Sequence, residues 1–450
     1  MGKILIKNCA FLSTMNRERE ELKDIDLFIS NGKIKEIGRN IAKDGKLQVI
    51  DASHCIVTPG LINTHDHLFQ SLSKTVPKAQ NASLFNWLKI LYPIWGRMNP
   101  EQIFIATQLG LSELALSGCS LSADHMYIFQ NGCRLEDTIE AAREIGLRFN
   151  PTRGAMSVGE SAGGLPPDNL IENEEKILAD MERVVQKFND PAEGSMLRVG
   201  LAPCSPFSVS NDLMRETAQL ARSLGVGLHT HLAENDEDVK FSLEKYGCTP
   251  GEYIQELGWV GPDVWHAHCV KLTPKEIEIF NDTATGIAHC PCSNCRLGSG
   301  IAPITDMLKV GINIGLGVDG AASSDSSHLL SEARQAMLLQ RLTDEGKKFS
   351  ARDALEIATI GGARVLGRND LGSIEIGKRA DIAIWNLKEL SLTGAWDPVA
   401  SLIFTGPHHV KNLIVEGKLI VNDGELLSID SQSIIRKAKK SLEQLMESAN

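Results

Sequence analysis

CIVTPGLINTHDH, residues 55–67, is a short apolar run that ends in two histidines. The run is typical of a buried strand. Side chains two residues apart on a strand point the same way, so we expect His65 and His67 to present two imidazoles on one face. Such a pair suits a divalent metal ion. An isolated His-x-His is more often two ordinary polar residues, so the rest of the chain must supply further evidence.

Seven more apolar runs follow, separated by segments with helical periodicity such as Asp212–Leu224. The eight runs cover residues 55–61, 119–124, 147–152, 197–202, 226–230, 264–267, 286–288 and 312–318. Strand–helix alternation repeated eight times predicts an α/β protein with a (β/α)₈ TIM-like barrel over residues 59–365. A doubly wound open sheet is the alternative, but its Gly-rich phosphate-binding turn is not found in the sequence.

The two ends of the chain share a different pattern. Asn31-Gly32 and Glu416-Gly417 each separate two β-rich segments, which predicts hairpins. We therefore expect residues 1–58 and 366–450 to form one small β-sandwich domain, with a C-terminal amphipathic helix over residues 431–448.

Chemically active residues gather where the apolar runs end. Eight of the twelve histidines lie there, and active sites of barrels form at the C-terminal ends of their strands. The candidates after the first run are His125, His229, His231, Glu234, His266, His268, His289 and Asp319. Spacing alone leaves open which member of each later His-x-His pair faces the site. We interpret His125 and His328 as structural residues.

Composition limits the function classes. The chain has 46 Lys and Arg against 57 Asp and Glu, a net charge of −11, which argues against a nucleic-acid partner. The ten scattered cysteines favour reduced thiols in a cytoplasmic protein. The cluster Cys290, Cys292 and Cys295 lacks the second Cys pair of a structural zinc site. No apolar run is long enough to predict a membrane span.

Several stretches resemble one family. Residues 58–67 resemble the first-strand motif of the amidohydrolase superfamily. Residues 231–234 (HLAE), 267–269 (AHC) and 317–320 (GVDG) resemble its motifs on strands five, six and eight. Residues 289–294 and 372–381 complete the pattern of the cytosine/guanine deaminase and triazine hydrolase branch, over essentially the whole chain. The resemblance implies that His231 and His268 belong to the site, whereas His229 and His266 support it or pack beside it.

The resemblance also implies a metal site. It assigns the metal to four ligands, which are His65, His67, His231 and Asp319. Binuclear relatives carry a bridging lysine at the end of the fourth strand, and residues 197–203 contain none. One divalent ion is therefore expected, with zinc favoured and iron as the alternative, because nitrogen and oxygen ligands discriminate weakly among these ions.

The chemistry implied is hydrolysis of an aminated heterocycle. A divalent metal lowers the pKa of a water molecule toward neutrality. His268 and Asp319 would orient that water and accept its proton. Glu234 would protonate the ring nitrogen and later pass a proton to the departing ammonia, as a general acid and base.

Residues 67–72, 76–82, 153–157 and 202–207 resemble those of 8-oxoguanine deaminases. The expected substrate contacts are Gln70, Trp87 (or Tyr127), Arg153, Cys204 and Glu234. Cys204 replaces a histidine common in the branch, which should reshape the substrate pocket. Trp87 could equally belong to the apolar face of a helix.

We expect deamination of 8-oxoguanine to urate by a homo-oligomeric enzyme that takes a small purine-like substrate. Deamination of guanine or of a pterin such as isoxanthopterin is the alternative. Triazine hydrolysis is less favoured. A non-catalytic barrel homologue is disfavoured, because the chain keeps every expected ligand and Glu234.

Overall fold

A computed structural model describes residues 2–343 and 346–449 of the chain. The strands are β1 Lys3–Cys9, β2 Phe11–Ser13, β3 Glu21–Leu22, β4 Ile25–Ser30, β5 Lys33–Gly38, β6 Gln48–Asp51, β7 Cys55–Pro59, β8 Leu61–Asn63, β9 Cys119–Met126, β10 Arg148–Ala155, β11 Gly200–Pro203, β12 Leu228–Leu232, β13 Val264–His268, β14 Gly286–His289, β15 Ile314–Leu316, β16 Ile382–Asn386, β17 Asn412–Val415, β18 Lys418–Asn422 and β19 Glu425–Leu426. The helices are α1 Leu84–Trp95, α2 Pro100–Leu116, α3 Leu135–Ile145, α4 Glu174–Phe188, α5 Asn211–Leu224, α6 Asp236–Tyr246, α7 Pro250–Glu256, α8 Pro274–Thr283, α9 Pro291–Arg296, α10 Ile304–Val310, α11 Leu329–Thr343, α12 Ala351–Glu356, α13 Gly362–Val365, α14 Pro398–Phe404 and α15 Ser431–Ala449.

The central unit is a closed parallel barrel. Strands β8 to β15 follow one another around it, and the ring closes where Leu316 of β15 pairs with Asn63 of β8. Helices follow each strand and cover the outside of the barrel. The predicted (β/α)₈ TIM-like fold is confirmed. All eight strands run the same way, so their C-terminal ends meet at one face.

The first apolar run is two strands rather than one. β7 pairs with β16 in an outer sheet, and only β8 belongs to the barrel. Gly60 separates them, at a point where the chain passes very close to β9. A Cβ atom at Gly60 would lie 2.4 Å from the Ser120 hydroxyl oxygen, so a larger residue would push the two strands apart. The predicted single strand over residues 55–61 is wrong for this packing reason.

The two ends of the chain build two small sheets. One has the order β5-β4-β1-β6, and the other has the order β19-β18-β17-β16-β7-β2-β3. Ile6, Leu27, Val57 and Ile382 belong to one buried apolar cluster between the sheets, as a sandwich requires. Both predicted hairpin turns are present. Residues 31–32 and 416–417 all have positive φ, as a type I′ turn demands.

The C-terminal helix α15 packs on helix α2 of the barrel. Gln102 of α2 donates to the carbonyl oxygen of Ser441 at 3.3 Å, and Ile434 and Leu445 of α15 are buried in the main barrel core. The prediction that this helix belongs to the terminal domain rests on its position in the sequence alone.

None of the helices formed by the described residues has the length and apolar character to cross a membrane.

Candidate metal and catalytic site

Side chains from five barrel strands converge at the C-terminal face. The described residues contain two overlapping sets of candidate metal ligands, whose ligand atoms lie within 4.8 Å of one another. The sets are His65, His67, His125 and His231, and His65, His231, His268 and Asp319. Together they include all four ligands expected from the sequence.

The nitrogen lone pairs of these histidines point at one another. His67 Nδ1 donates to the His125 carbonyl oxygen at 2.7 Å, and His231 Nδ1 donates to the Cys204 carbonyl oxygen at 2.5 Å. Each Nε2 is then an acceptor. The two Nε2 atoms lie 3.0 Å apart, and two lone pairs so close repel unless a cation or a proton lies between them.

The distances around this point fit a tetrahedral metal ion. Asp319 Oδ1 lies 3.3 Å from His65 Nε2 and 3.4 Å from His67 Nε2. Ligands about 2.0–2.1 Å from a zinc ion stand about 3.3 Å from one another in a tetrahedron. His65 Nε2 is buried and has no hydrogen-bond partner. The residues present therefore fit a single divalent ion.

Asp319 is held as a carboxylate by its neighbours. Ser293 and Ser323 donate to its Oδ2 at 2.6 and 2.9 Å, and the Gly320 amide donates to its Oδ1 at 2.7 Å. Burial alone would raise the pKa of Asp319, but its close contact with His65 and the charge on His268 outweigh it and hold the pKa well below its usual value.

Glu234 and His268 form a second pair beside the metal ligands. His268 Nε2 lies 3.7 Å from Glu234 Oε2 and 3.9 Å from Asp319 Oδ2, so the imidazole stands between two carboxylates. Burial raises the pKa of Glu234 to about 7. A carboxyl group with a pKa near neutrality can both give and take a proton at the operating pH.

The backbone decides which histidine of the pair on β13 reaches the site. His266 faces helix α8, where its ring lies 5.4 Å from that of Phe280 and its Nε2 contacts the Trp259 carbonyl oxygen. Strict alternation would turn His268 outward as well. Instead His268 has a φ of 71°, an uncommon value for a non-glycine residue, and this twist directs the ring inward.

A cavity adjoins these groups. Four of the five expected substrate contacts line it, and they are Gln70, Trp87, Cys204 and Glu234. Tyr92 and Tyr127 line it too, and α1 closes one side with Leu84, Trp87 and Leu88. Four buried polar atoms of the wall lack hydrogen-bond partners, and they are Gln70 Oε1, Trp87 Nε1, Tyr92 Oη and Glu234 Oε1.

Arg153, the fifth expected contact, is placed elsewhere. Its guanidinium bonds to Glu172 and to Asp180 of α4, and it stacks on the Phe129 ring at 3.5 Å. These partners occupy its donors and hold α4 against the barrel. The structure thus does not place Arg153 in the cavity, because its side chain leaves β10 toward the outer helix.

Two residues near the site were not named as candidates from the sequence, and a third was assigned a structural role. Ser293 bonds to Asp319, and Asn294 Oδ1 accepts from His268 Nδ1 at 2.9 Å. Both lie in the segment 289–294, whose family motif was the available signal. The His125 ring, for which the sequence predicts a structural role, lies 5.0 Å from that of His231 and belongs to one of the candidate ligand sets.

The model of the amidohydrolase family matches residues 56–420 of this chain. The chain therefore belongs to the amidohydrolase family. It is an enzyme of the deaminase type in that family, whose members are metal-dependent and include relatives that act on the C–N bonds of purines and related rings.

Individual relatives are similar to this chain over nearly its whole length. The chain is 41% identical to an 8-oxoguanine deaminase of Pseudomonas aeruginosa, over 91% of this chain and 92% of the relative. It is 34% identical to an isoxanthopterin deaminase of an unknown prokaryotic organism, over 98% and 97%. A zinc complex of the atrazine chlorohydrolase of Arthrobacter aurescens TC1 superposes with a TM-score of 0.93 at 32% identity, covering 98% of this chain and 100% of that one.

Proposed function

We propose that this chain is a zinc-dependent deaminase that converts 8-oxoguanine and water into urate and ammonia. The observation that carries the proposal is the cavity, where Glu234 and Cys204 lie beside the convergent ligand atoms. The 41% identity to an 8-oxoguanine deaminase supports the substrate. The zinc in the atrazine chlorohydrolase structure supports the metal. Cytoplasmic location and a homo-oligomer remain predictions.

The cavity wall suits a ring edge that carries a carbonyl beside an N–H. Trp87 Nε1 is a buried donor without a partner, and Gln70 Oε1 is a buried acceptor without one. The imidazolone ring of 8-oxoguanine offers a carbonyl oxygen and an N–H to such a pair. Guanine offers a C–H and a bare nitrogen there, which would leave both protein groups unsatisfied at a cost of about 1–3 kcal/mol each.

Zinc held by His65, His67, His231 and Asp319 would supply a water molecule of lowered pKa and an electrostatic attraction for the developing negative charge. His268 and Asp319 orient that water and accept its proton as the oxygen adds to the carbon bearing the amino group. Glu234 protonates the neighbouring ring nitrogen.

The proton taken from the water is used to release the amino group as ammonia. It passes through Glu234 to that group, the C–N bond breaks, and ammonia leaves with the electron pair. The second hydrogen of the water then leaves the added oxygen for Glu234 and restores the proton that Glu234 gave to the ring nitrogen. The ring carbon now carries a carbonyl, and the ring nitrogen retains a hydrogen. The 3.7 Å spacing of His268 and Glu234 gives the short path that this transfer needs.

The test is a screen for ammonia release by the zinc-loaded enzyme. The substrates are 8-oxoguanine, guanine, isoxanthopterin, cytosine and adenosine, with Glu234→Gln as the matched inactive control. We expect the highest kcat/KM for 8-oxoguanine. A higher value for isoxanthopterin or guanine would replace the substrate while keeping the reaction, and a preference for cytosine or adenosine would refute the proposal.

A further inference from the structure

Four of the five histidines in the candidate ligand sets share one arrangement, and they are His65, His67, His231 and His268. Each binds part of the protein through Nδ1 and turns Nε2 toward the others. The Nδ1 partners are the His125 carbonyl oxygen for His67, the Cys204 carbonyl oxygen for His231, Asn294 Oδ1 for His268, and His229 Nε2 for His65. Only His65 depends on a second imidazole, which is a group that can either donate or accept.

The surroundings of His229 decide whether its Nε2 donates a hydrogen bond to His65 or accepts one. His229 and Trp265 are neighbours across strands β12 and β13. His229 Nδ1 lies 2.8 Å from the Trp265 carbonyl oxygen. A carbonyl oxygen only accepts, so this nitrogen must carry the hydrogen. In a neutral imidazole the other nitrogen, Nε2, is then an acceptor.

The chain of hydrogen bonds continues to the site. His229 Nε2 lies 2.7 Å from His65 Nδ1. Because His229 accepts there, His65 must donate from Nδ1. The lone pair of His65 is thereby left on Nε2, which is buried and faces Asp319 Oδ1 at 3.3 Å. Without an acceptor at Nδ1, His65 could place its hydrogen on Nε2 and lose its ability to bind a metal.

The His229 ring is also held in place. It is buried, with 1% of its surface exposed, and stacks on the Trp265 ring at 4.7 Å and 17°. Trp265 is itself fixed by donating from Nε1 to the Thr64 carbonyl oxygen at 3.1 Å. Thr64 precedes His65, so the Trp265 ring that stacks on His229 is tied to the segment that carries His65.

We propose that His229 is a positioning residue that relays the Trp265 carbonyl to His65, fixing the tautomer in which His65 Nε2 can bind the metal. The proposal rests on the metal site of the proposed function but not on its substrate. Partners at this distance from a metal typically change its affinity 10–100-fold.

Zinc affinity, measured by competition with a chelator, tests the relay without any substrate. His229→Phe keeps a ring against Trp265 but removes both hydrogen bonds. His229→Gln keeps an acceptor for His65 and a donor for Trp265. His266→Phe is the matched control, because His266 has the same position relative to His268 but faces α8.

We expect zinc binding to weaken about 10–100-fold in His229→Phe, to recover to within about tenfold of wild type in His229→Gln, and to stay within about threefold in His266→Phe. Wild-type affinity in His229→Phe would overturn the relay. So would equal losses in the three variants, which would indicate a general packing effect.

A measurement on the wild-type protein covers the case in which His229→Phe does not fold. The ¹⁵N spectrum of the histidines in the metal-free protein reports which ring nitrogen carries the hydrogen. The His65 signals are assigned from the shift caused by His229→Gln. A hydrogen on Nδ1 of His65 is expected, and a hydrogen on Nε2 would contradict the proposal. A different substrate in the ammonia screen would leave both results unchanged.

Discussion

Glu234 has both the position and the pKa that a proton carrier at this site needs. It lies within reach of His268, and burial raises its pKa to about 7. Glu234→Gln keeps the shape but cannot exchange a proton. We expect full zinc content and a fall in kcat of at least about 100-fold, from measurements of bound metal and ammonia release. Turnover near the wild-type rate would remove Glu234 from its proposed role.

Cys204 acts through two different atoms. Its backbone carbonyl oxygen holds His231, whereas its side chain lines the cavity. Burial raises the pKa of the thiol to about 12, so the group is neutral. Cys204→Ala should therefore keep one zinc per chain and lower kcat/KM for 8-oxoguanine about tenfold, which is typical for a lost contact in a substrate pocket.

Steady-state kinetics and metal analysis check the Cys204 prediction together. Loss of zinc from Cys204→Ala would show that the side chain supports the metal site, contrary to our account.

The contacts of single residues were only partly predictable. His65 and His67 follow directly from the end of an apolar run. His268 could not be chosen over His266 from spacing, because the choice depends on a backbone twist at the strand end. Arg153 was misplaced for a related reason, since the face of β10 from which it projects depends on where the strand meets α4.

Helices α3 and α4 are joined by charged side chains. Glu136 of α3 accepts from Arg183 at 2.7 Å and lies 3.4 Å from Lys187, both of α4. Burial alone would raise the pKa of Glu136, but the hydrogen bond from Arg183 outweighs it and lowers the pKa to about 2. A carboxyl group of lowered pKa stabilises the fold above its ordinary pKa, and this contribution is lost as the pH falls toward 2.

The variant Glu136→Gln tests the predicted direction of this pH dependence of stability. The variant should be less stable than wild type at pH 6, and the difference should shrink between about pH 4.5 and pH 2. Thermal unfolding of both proteins across this range measures it. A difference that grows on acidification would contradict the assignment.

At the scale of strands and helices, the periodicity of apolar residues predicted the structure well. The barrel strands and helix α5 follow from apolar spacing, and the two hairpins follow from Asn-Gly and Glu-Gly turns. The division of residues 55–63 into two strands was missed because Gly60 is required by contact with Ser120, a residue distant in sequence. Local patterns do not report such contacts.

The barrel and the terminal sandwich are joined by a buried ion cluster. Arg148 of β10, whose side chain is fully buried, binds Asp381 at 2.7 and 3.0 Å and also Glu416. The cluster ties two residues of the C-terminal segment to one barrel strand. Removing one partner from a buried cluster leaves uncompensated charge, which costs about 3–5 kcal/mol.

Arg148→Met should therefore lower the free energy of unfolding in urea by about 3–5 kcal/mol. Arg143→Met is the matched control, because Arg143 pairs with Glu140 at the surface and should cost less than about 1 kcal/mol. Similar losses in both variants would mean that the cluster does not join the two units.

The account as a whole depends on one metal ion coupled to one deamination. The direct measurement is a zinc titration of metal-free protein, with ammonia release from 8-oxoguanine followed at each step. We predict that activity rises from zero in proportion to added zinc and stops rising at one ion per chain. Activity in the metal-free protein, or a plateau at two ions per chain, would contradict the account.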